Sequence, residues 1–493
     1  MVKATLQRAV LLGMTALGLL IASVPSYAEV QNVKVGGDVT VRSFWRRNLD
    51  LRHAENVATT LNRQDDLFLM STVGLNVGAD LTENVSAYIR FANERNWNQS
   101  DAGTGTANGN AGEFDLSQAY VTLKELFYSP LTVRIGQQPI QWGRGFVLGS
   151  NLLPTVLSSF DAGAATHPGG TRLGAISAPE YTDFTAFDAI RATLDLGGVA
   201  SIGVPLTVDY VYIKMDENLV NENDDINLQG FNFSTRFDDM NSELEAYWLN
   251  KRDRSAFTND LGKPGSVNTI GIRGSSKPVE GSNFYGEMAL QFGHKGSELD
   301  NIVNGTGSGA QGWAFDLGGD FTFADVPTSP KVGMEWILYS GHNKDNANQG
   351  WEPMAPSYFT TLLRSYQTRN TITGLYPTDQ NLVTSAFTNQ HELAFYGGLK
   401  PIDDLNVDSR LSWFWLEDGQ VPDVNGTTGT GGNREGYVGS EWDTVFTYDY
   451  TDDVQLGLAY GVFFPGSVFH DSPDQSSGRD TAQELISKVS VKF

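Results

Sequence analysis

Basic side chains recur on one face of alternating apolar and polar segments in the first 200 residues. They are Lys34, Arg42, Arg90, Lys124, Arg134 and Arg191. Guanidinium groups stay charged and bind carboxylates through two parallel hydrogen bonds. A surface that carries a row of such groups attracts anions.

Carboxylates dominate the same face of the later alternating segments. This acidic group consists of Glu287, Asp316, Asp320, Glu335, Glu392, Asp408 and Glu441, and it is interrupted by Arg273 and Arg410. Taken singly, each charged residue is better explained as a solvated lumen side chain or as one partner of a salt bridge between the walls. Taken as groups, they predict a basic wall that faces an acidic wall, with a transverse electric field between them.

Nucleophilic catalysis would need a serine, cysteine or carboxylate held beside a histidine. The chain has no cysteine, and no serine-centred elbow accompanies a histidine. Five histidines fall in predicted loops or at strand ends (His53, His167, His294, His342 and His470), and His391 lies near the start of a strand. The sequence therefore predicts that the protein is not an enzyme.

The acidic stretch DENLVNENDD, from Asp216 to Asp225, is a candidate for Ca²⁺ ligation, because hard cations take clustered carboxylate and amide oxygens. It lacks the spacing of a known calcium-binding loop, which favours a solvated outer loop. The absence of cysteine excludes thiolate metal sites and covalently attached haem. We predict no cofactor, with loop-bound Ca²⁺ as the alternative.

Alternation with period two is the dominant pattern beyond residue 30, and it predicts β-strands. One face of NVKVGGDVTVRSFW, for example, carries Val33, Val35, Val39, Val41 and Trp45. Eighteen strands are predicted, near 32–45, 67–81, 85–95, 115–125, 131–141, 185–196, 205–216, 225–237, 243–252, 268–277, 283–293, 312–323, 331–341, 389–400, 404–417, 438–449, 454–464 and 482–493. Many exceed the roughly 5 or 6 residues usual in soluble sheets and match the roughly 9 to 11 that cross a bilayer at a tilt.

The connections alternate between short polar turns and long loops rich in Asn, Asp, Gly and Ser. The start of the first strand and the end of the last strand both fall on the side of the short turns. A closed sheet satisfies every backbone hydrogen-bonding group in lipid. We therefore predict an all-β outer-membrane β-barrel of about 18 antiparallel strands, with short periplasmic turns and long extracellular loops. The alternative is a soluble sandwich or solenoid. A sandwich gives no reason for aromatic residues near strand ends, and a solenoid would show a sequence repeat, which is not visible.

The first 28 residues have the organisation of a secretory signal peptide: a basic start, an apolar stretch from residue 9 to 24, and small residues before a cleavage site after Ala28. The apolar stretch is shorter than the roughly 20 residues of a membrane anchor. We predict a signal peptide over 1–28 and one barrel domain over 29–493. The final ELISKVSVKF reads as the closing strand, and Phe493 resembles the signal that outer-membrane proteins present to their insertion machinery.

The formal charge of -24 argues against nucleic acid as a partner, because phosphate would be repelled. The predicted location is the outer membrane. The predicted partners are the lipid bilayer, lipopolysaccharide, the insertion machinery and a small or oligomeric solute.

Two long loops are candidates for a constriction of the pore. The loop from Trp142 to Thr182 begins WGRGFVLGSNLLPTVLSSF, which is unusually apolar for an exposed loop. Folding inward would bury that surface, and we expect it to bring Arg144 near the basic wall. The loop from His342 to Asn389 is comparably long.

Three stretches over roughly 80 residues resemble the alginate-export family of outer-membrane porins. They are Gln118-Ala119-Tyr120, Arg134-Ile135-Gly136-Gln137-Gln138 and Phe187-Asp188-Ala189-Ile190-Arg191, with Gln137 where the family usually has arginine. The resemblance implies an 18-stranded barrel. It also implies diffusion of an anionic polysaccharide through an arginine-lined constriction that loops cover as lids.

These patterns together predict a porin for passive diffusion of small polar or anionic solutes, with export of an acidic, alginate-like saccharide as its specific form. Arg42, Arg90, Arg134, Arg144 and Arg191 are the predicted basic lining of the pore, and the acidic group named above is its acidic lining. The alternative is a structural or conduit-type barrel with a plugged pore and a periplasmic or cytochrome partner.

Overall fold

The structure is a computed structural model that describes residues 32–49, 65–97, 114–149, 178–197, 205–216, 225–238, 241–254, 264–294, 309–341, 350–364, 387–417, 436–467 and 480–493. These residues contain 18 long strands and two short 3₁₀ turns, Leu126–Tyr128 and Pro179–Tyr181. In the same ranges, no helix is long and apolar enough to cross a membrane.

All 18 predicted strands are present. The first nine are β1 Asn32–Arg47, β2 Asp65–Thr82, β3 Val85–Asn96, β4 Asp115–Leu123, β5 Leu131–Gln138, β6 Phe187–Asp195, β7 Leu206–Asp216, β8 Ile226–Phe237 and β9 Ser242–Asp253. The other nine are β10 Gly265–Ser276, β11 Ser282–His294, β12 Trp313–Thr322, β13 Lys331–Tyr339, β14 Gln390–Ile402, β15 Leu405–Trp415, β16 Tyr437–Asp449, β17 Val454–Pro465 and β18 Ala482–Lys492. The two-residue strand Gly309–Ala310 also pairs with β11 and extends β12.

The sheet closes into a barrel. Each strand pairs antiparallel with the next along the chain. β18 returns to β1, with Asp38 opposite Lys492 and Arg47 opposite Gln483. In a ring of 18, strands β1 to β6 lie opposite β10 to β15, so the predicted basic and acidic walls face each other.

Short and long connections alternate as predicted. Eight connections are short, such as the two residues between β2 and β3 and the two between β14 and β15. The N-terminal end of β1 pairs with the end of β2 that leads into a short turn, since Asn32 lies opposite Asp80. Phe493 pairs with Gly37 through two backbone hydrogen bonds of 2.8 and 3.0 Å. Both ends of the barrel chain therefore lie on the short-turn, periplasmic side.

The outward positions of the strands are apolar and exposed, as lipid contact requires. Outward residues such as Val35, Ile272, Phe395 and Val489 are exposed. The inward positions carry the charged residues that the alternation predicted, so the two faces of each strand separate as expected from a period of two.

The extracellular half of the barrel interior is a packed apolar core, which the sequence did not predict. Inward residues at or near the extracellular ends of their strands, among them Phe44, Phe187 and Phe414, are fully buried. They are inward although apolar, because three segments of two long loops, the one after β5 and the one after β13, fold into the barrel and pack against them. The expectation that apolar residues mark the lipid face fails only at this end.

Candidate functional site

Three chain segments fold into the barrel and narrow it: residues 139–149, 178–186 and 350–364. The first and third are joined to each other by backbone hydrogen bonds, from Gly149 N to Ala355 O (2.8 Å), from Ala355 N to Val147 O (3.1 Å) and from Ser357 N to Gly145 O (2.8 Å). Gly145 has a φ of 81°, and a Cβ there would lie 2.2 Å from Ser357 Oγ. The turn and the close approach therefore both require glycine.

The apolar start of the loop after β5 is buried, as predicted for an inward-folded segment. Trp142, Phe146 and Leu148 belong to one apolar cluster with Tyr339 and Trp351. Phe146 stacks on Tyr339 at 5.1 Å between ring centroids. This packing fixes the segment against the wall formed by β7 to β13.

Arg144 contacts the acidic wall, so the expectation that it would lie near the basic wall is wrong. Its guanidinium donates to Asp316 (3.1 Å), pairs with Glu335 (3.0 Å) and also bonds Tyr358. It lies over the ring of Tyr285, 3.7 Å from the centroid. The reason is packing: Trp142 donates to Asp209 on β7, and Phe146 stacks on β13, so residue 144 is held between those strands.

Burial alone would lower the pKa of Arg144, but the neighbouring Tyr358, Asp316 and Glu335 outweigh it and raise the pKa above its ordinary value. Burial and the charge of Glu335 raise the pKa of Tyr358 well above its ordinary value. The arginine is therefore charged and the tyrosine neutral under all ordinary conditions.

Arg410 holds two carboxylates of the acidic wall together. Its guanidinium lies 2.7 Å from both Glu335 and Glu392. Glu335 also accepts from Tyr285 (2.7 Å), and Glu392 also accepts from Ser412 (2.9 Å). These carboxylates are buried and paired on several sides.

The other members of the acidic wall also have donors. Glu287 accepts from the Tyr247 hydroxyl (2.7 Å), Asp320 from Asn283 (3.0 Å) and Tyr396 (3.1 Å), and Glu441 from the backbone N–H groups of Leu363 (2.6 Å) and Arg364 (2.8 Å). Asp408 differs, because its side chain is 56% exposed and its ion pair with Lys331 spans 3.6 Å. Most carboxylates of the acidic wall are thus hydrogen-bonded or paired with a cation.

On the basic wall, Arg90 and Arg191 are paired with carboxylates. Arg90 is buried and forms ion pairs with Asp183 (2.8 Å) and Asp38 (2.7 Å). Arg191 binds both oxygens of Asp209 through Nε, at 3.0 and 2.9 Å. Asp183 comes from an inward segment, so Arg90 anchors that segment rather than lining an open pore.

Arg134 is directly opposite Arg191 across β5 and β6. Its contacts are the Tyr120 ring, 4.6 Å from the centroid, and Thr122, at 3.3 Å. No carboxylate of the described residues forms an ion pair with it. Two like charges directly opposite each other in a sheet are destabilising, so this pair leaves positive charge without compensation on the lumen side.

A second pair of like charges lies at the barrel closure. Arg42 on β1 is directly opposite Lys488 on β18. Arg42 lies over the ring of Tyr181, 5.2 Å from the centroid. Lys34 shares this wall and is exposed near the periplasmic end, whereas Lys124 lies in the turn after β4.

Several functional residues were missed in the sequence. Arg46 bridges Glu180 and Glu484. Arg410 pairs with Glu335 and Glu392 of the acidic wall, and Arg273 pairs with Glu243 and Glu245 beside it. The sequence showed Arg273 and Arg410 only as interruptions of the acidic group. All three arginines occupy inward positions by the same alternation, which is the signal that could have identified them. Their partners come from distant strands and loops, which alternation does not reveal.

A cavity of about 430 Å³ lies on the periplasmic side of Arg144. Its lining comprises Arg144, Asn241, Glu243, Arg273, Ser275, Lys277, Asn283, Tyr285, Asp320, Lys331, Glu335, Tyr396 and Arg410. Asn241, Lys277 and Lys331 adjoin short turns, so the cavity is reached from the periplasmic end.

Within the described ranges, no group of three histidine, aspartate or glutamate side chains is arranged to hold a metal ion. The predicted calcium stretch lies outside the described residues from 217 to 224, and Asp225 accepts from Lys214 at 2.7 Å. His53, His167, His342 and His470 also lie outside them, as does the predicted signal peptide. His391 stacks on Trp336 at 6.3 Å between ring centroids.

The fold of this chain is similar to that of several solved structures. OccK9 (OpdG) of Pseudomonas aeruginosa has a TM-score of 0.53 at 10% identity, over 94% of this chain and 99% of that chain. A BenF-like porin from Pseudomonas fluorescens Pf-5 has a TM-score of 0.51 at 11% identity, over 94% and 99%. OccAB3 of Acinetobacter baumannii has a TM-score of 0.51 at 10% identity, over 93% and 99%. No curated protein matches the chain.

The closed barrel and its polar, narrowed lumen define an outer-membrane channel for solute diffusion, in contact with lipid and lipopolysaccharide. The family whose description is alginate export matches residues 32–483. The chain therefore belongs to the alginate export family, as the three short motifs predicted.

Proposed function

We propose that the channel prefers anionic solutes and that its specific solutes are oligosaccharides of uronic acids. The observation that carries the proposal is the pair Arg134 and Arg191, which face each other on the lumen side with Asp209 as their one carboxylate partner in the described part of the chain. Arg42 and Lys488 are a second pair of cations directly opposite each other in the sheet. The accessible charge of the lumen is thus basic, although the whole chain is acidic.

A basic lumen concentrates anions because the low-dielectric wall focuses the field into the pore. The Tyr88 and Tyr120 rings stack at 5.2 Å beside Arg134. Their faces offer an apolar surface to a sugar ring, while the guanidinium binds its carboxylate. A uronic acid carries both groups, which supports this solute class over simple inorganic anions.

The test is the reversal potential of single channels in a planar bilayer under a salt gradient, followed by addition of an oligouronate. We expect an anion-preferring reversal potential and concentration-dependent block. Arg134→Gln and Arg42→Gln should each lower both effects. Arg47→Gln is the matched control, because Arg47 is an exposed cation at an outward position of β1.

A cation-preferring wild type, or block that is unchanged by Arg134→Gln, would overturn the proposal. The absence of current in repeated insertions would favour the plugged barrel instead. In that case the three inward segments would close the pore, and a periplasmic or cytochrome partner would be sought.

We also propose that the protein has no catalytic activity and that Phe493 is read by the insertion machinery. His391 stacks on an aromatic ring at an outward position, away from any lumen nucleophile. Phe493 is exposed at the closing strand. Deletion of Phe493 should slow assembly of the barrel in vivo, whereas an equal level of folded protein would contradict the second proposal.

A further inference from the structure

The cavity on the periplasmic side of Arg144, which we call the vestibule, lies against the acidic wall rather than the basic one. Its cationic lining residues are Arg144, Arg273, Lys277, Lys331 and Arg410, and its acidic ones are Glu243, Asp320 and Glu335. The lining is therefore net basic, although it lies on a wall that the sequence marks as acidic.

Each acidic side chain of the vestibule already has at least two hydrogen-bond or ion-pair partners. Glu335 is bound by Arg144, Arg410, Tyr285 and Tyr358. An ionised carboxylate has about four acceptor positions, so these contacts fill them. Asp320 accepts from Asn283 and Tyr396 through one oxygen, Oδ2, and Glu243 pairs with Arg236 at 3.0 Å and with Arg273 at 3.6 Å.

The cationic groups, in contrast, have donors to spare. A guanidinium has five N–H groups and an ammonium has three. Arg273 bonds Glu245 through Nη1 at 2.6 Å and lies 3.6 Å from Glu243, and its side chain is 11% exposed. Lys331 has one long ion pair, at 3.6 Å, and Lys277 is exposed at the mouth. The vestibule therefore has a net positive lining, with the ammonium groups of Lys277 and Lys331 available near its mouth.

We propose that the vestibule is a second binding site, loaded from the periplasm, for an anion that carries several hydroxyl groups. Carboxylate oxygens of such a solute pair with the ammonium and guanidinium groups of the lining, and its hydroxyl groups bond to the polar side chains among them. A volume of about 430 Å³ falls within the roughly 300–1,000 Å³ of small-molecule sites. The inference rests on the proposed function, because it gives the same solute class a site separate from the basic wall.

A site on one side of the constriction makes the channel asymmetric. Solute from the periplasm meets the vestibule before Arg144, whereas solute from outside meets the inward segments first. The expected consequence is block that is stronger for an oligouronate added from the periplasmic side. The basic wall alone gives no reason for such a difference.

The experiment measures block by trigalacturonate added to one side at a time. Orientation is read with Asn84→Cys in a short turn of this cysteine-free chain, which a membrane-impermeant thiol reagent modifies from the periplasmic side. The test variant is Lys277→Gln with Lys331→Gln. The control removes the same charge with Lys124→Gln and Lys400→Gln, at exposed periplasmic positions outside the vestibule.

For the test variant, we expect affinity for periplasmic trigalacturonate to fall about tenfold and affinity for external trigalacturonate to change less than about twofold. The control should leave both within about twofold. Equal block from the two sides that Arg134→Gln alone reduces would overturn the vestibule site and leave the proposed function standing. No anion preference and no block from either side would overturn both.

Discussion

The two walls of the lumen carry opposite charges, and they differ in how far those charges are buried and paired. The acidic wall buries Glu335 and Glu392 behind Arg410 and Arg144, and the inward segments cover it. The basic wall leaves Arg134 beside Arg191 without a carboxylate of its own in the described structure. The acidic wall therefore holds residues 139–149 in place through Arg144, and the basic wall holds residues 178–186 through Arg90. The charge that a solute meets comes from the basic wall, at Arg134. The formal charge of a lumen is thus a poor guide to its accessible charge.

The largest effect should come from Arg410→Gln, which breaks the acidic wall. It leaves two buried carboxylates without their shared cation, and such a loss costs about 3–5 kcal/mol of unfolding free energy. Urea unfolding of the detergent-solubilised barrel measures it. Arg236→Gln, which removes an arginine that is 76% exposed from its pair with Glu243, should cost less than about 1 kcal/mol. Equal losses would show that Arg410 does not hold the wall.

The next largest effect should come from Arg144→Gln. Hydrogen bonds to charged groups contribute about 1.5–3 kcal/mol, and Glu335 keeps Arg410 in this variant. We expect a smaller loss of stability than for Arg410→Gln, together with current fluctuations as the inward segment loosens. The reversal potential should move toward cations, because Asp316 loses its cation. Trp142→Phe, which removes the bond to Asp209, is the comparison for loosening without a change of charge. Steady currents and an unchanged reversal potential would contradict the anchoring role.

Arg134→Gln should distinguish the role of the basic wall from that of the acidic wall, because we expect it to change ion selectivity and to leave the unfolding free energy nearly unchanged. Relief of repulsion from Arg191 is worth about 0.2–1 kcal/mol, and loss of the contact with Tyr120 costs about 0.5–1 kcal/mol. The two nearly cancel, so we expect a change of less than about 0.5 kcal/mol in unfolding free energy. A loss comparable to that of Arg410→Gln would mean that Arg134 has a structural partner and that the walls do not differ in kind.

The barrel was predictable because a strand in lipid must alternate with period two, and long strands repeat that signal many times. The same alternation put Arg42, Arg134 and Glu335 on the face of their strands opposite the exposed apolar face, and their role as pore lining stays a prediction. It did not predict the inward position of Phe44, since that depends on loop segments that pack inside the barrel. It also did not predict the contacts of Arg144, because tertiary packing of Trp142 and Phe146 decides where that loop lies.

Of these substitutions, Asp408→Asn should give the smallest effect. It compares an exposed carboxylate of the acidic wall with the buried ones. Asp408 is the acidic-wall residue that stays exposed, and its ion pair with Lys331 is long. Removing it should change the unfolding free energy by less than about 0.5 kcal/mol, as for most exposed pairs. It should raise anion preference slightly, because an accessible negative charge is lost and Lys331 is released. The reversal potential measures this against Glu392→Gln, which should cost stability because it removes a buried partner of Arg410. If Asp408→Asn destabilises the barrel as much as Glu392→Gln, exposure does not distinguish the carboxylates of this wall.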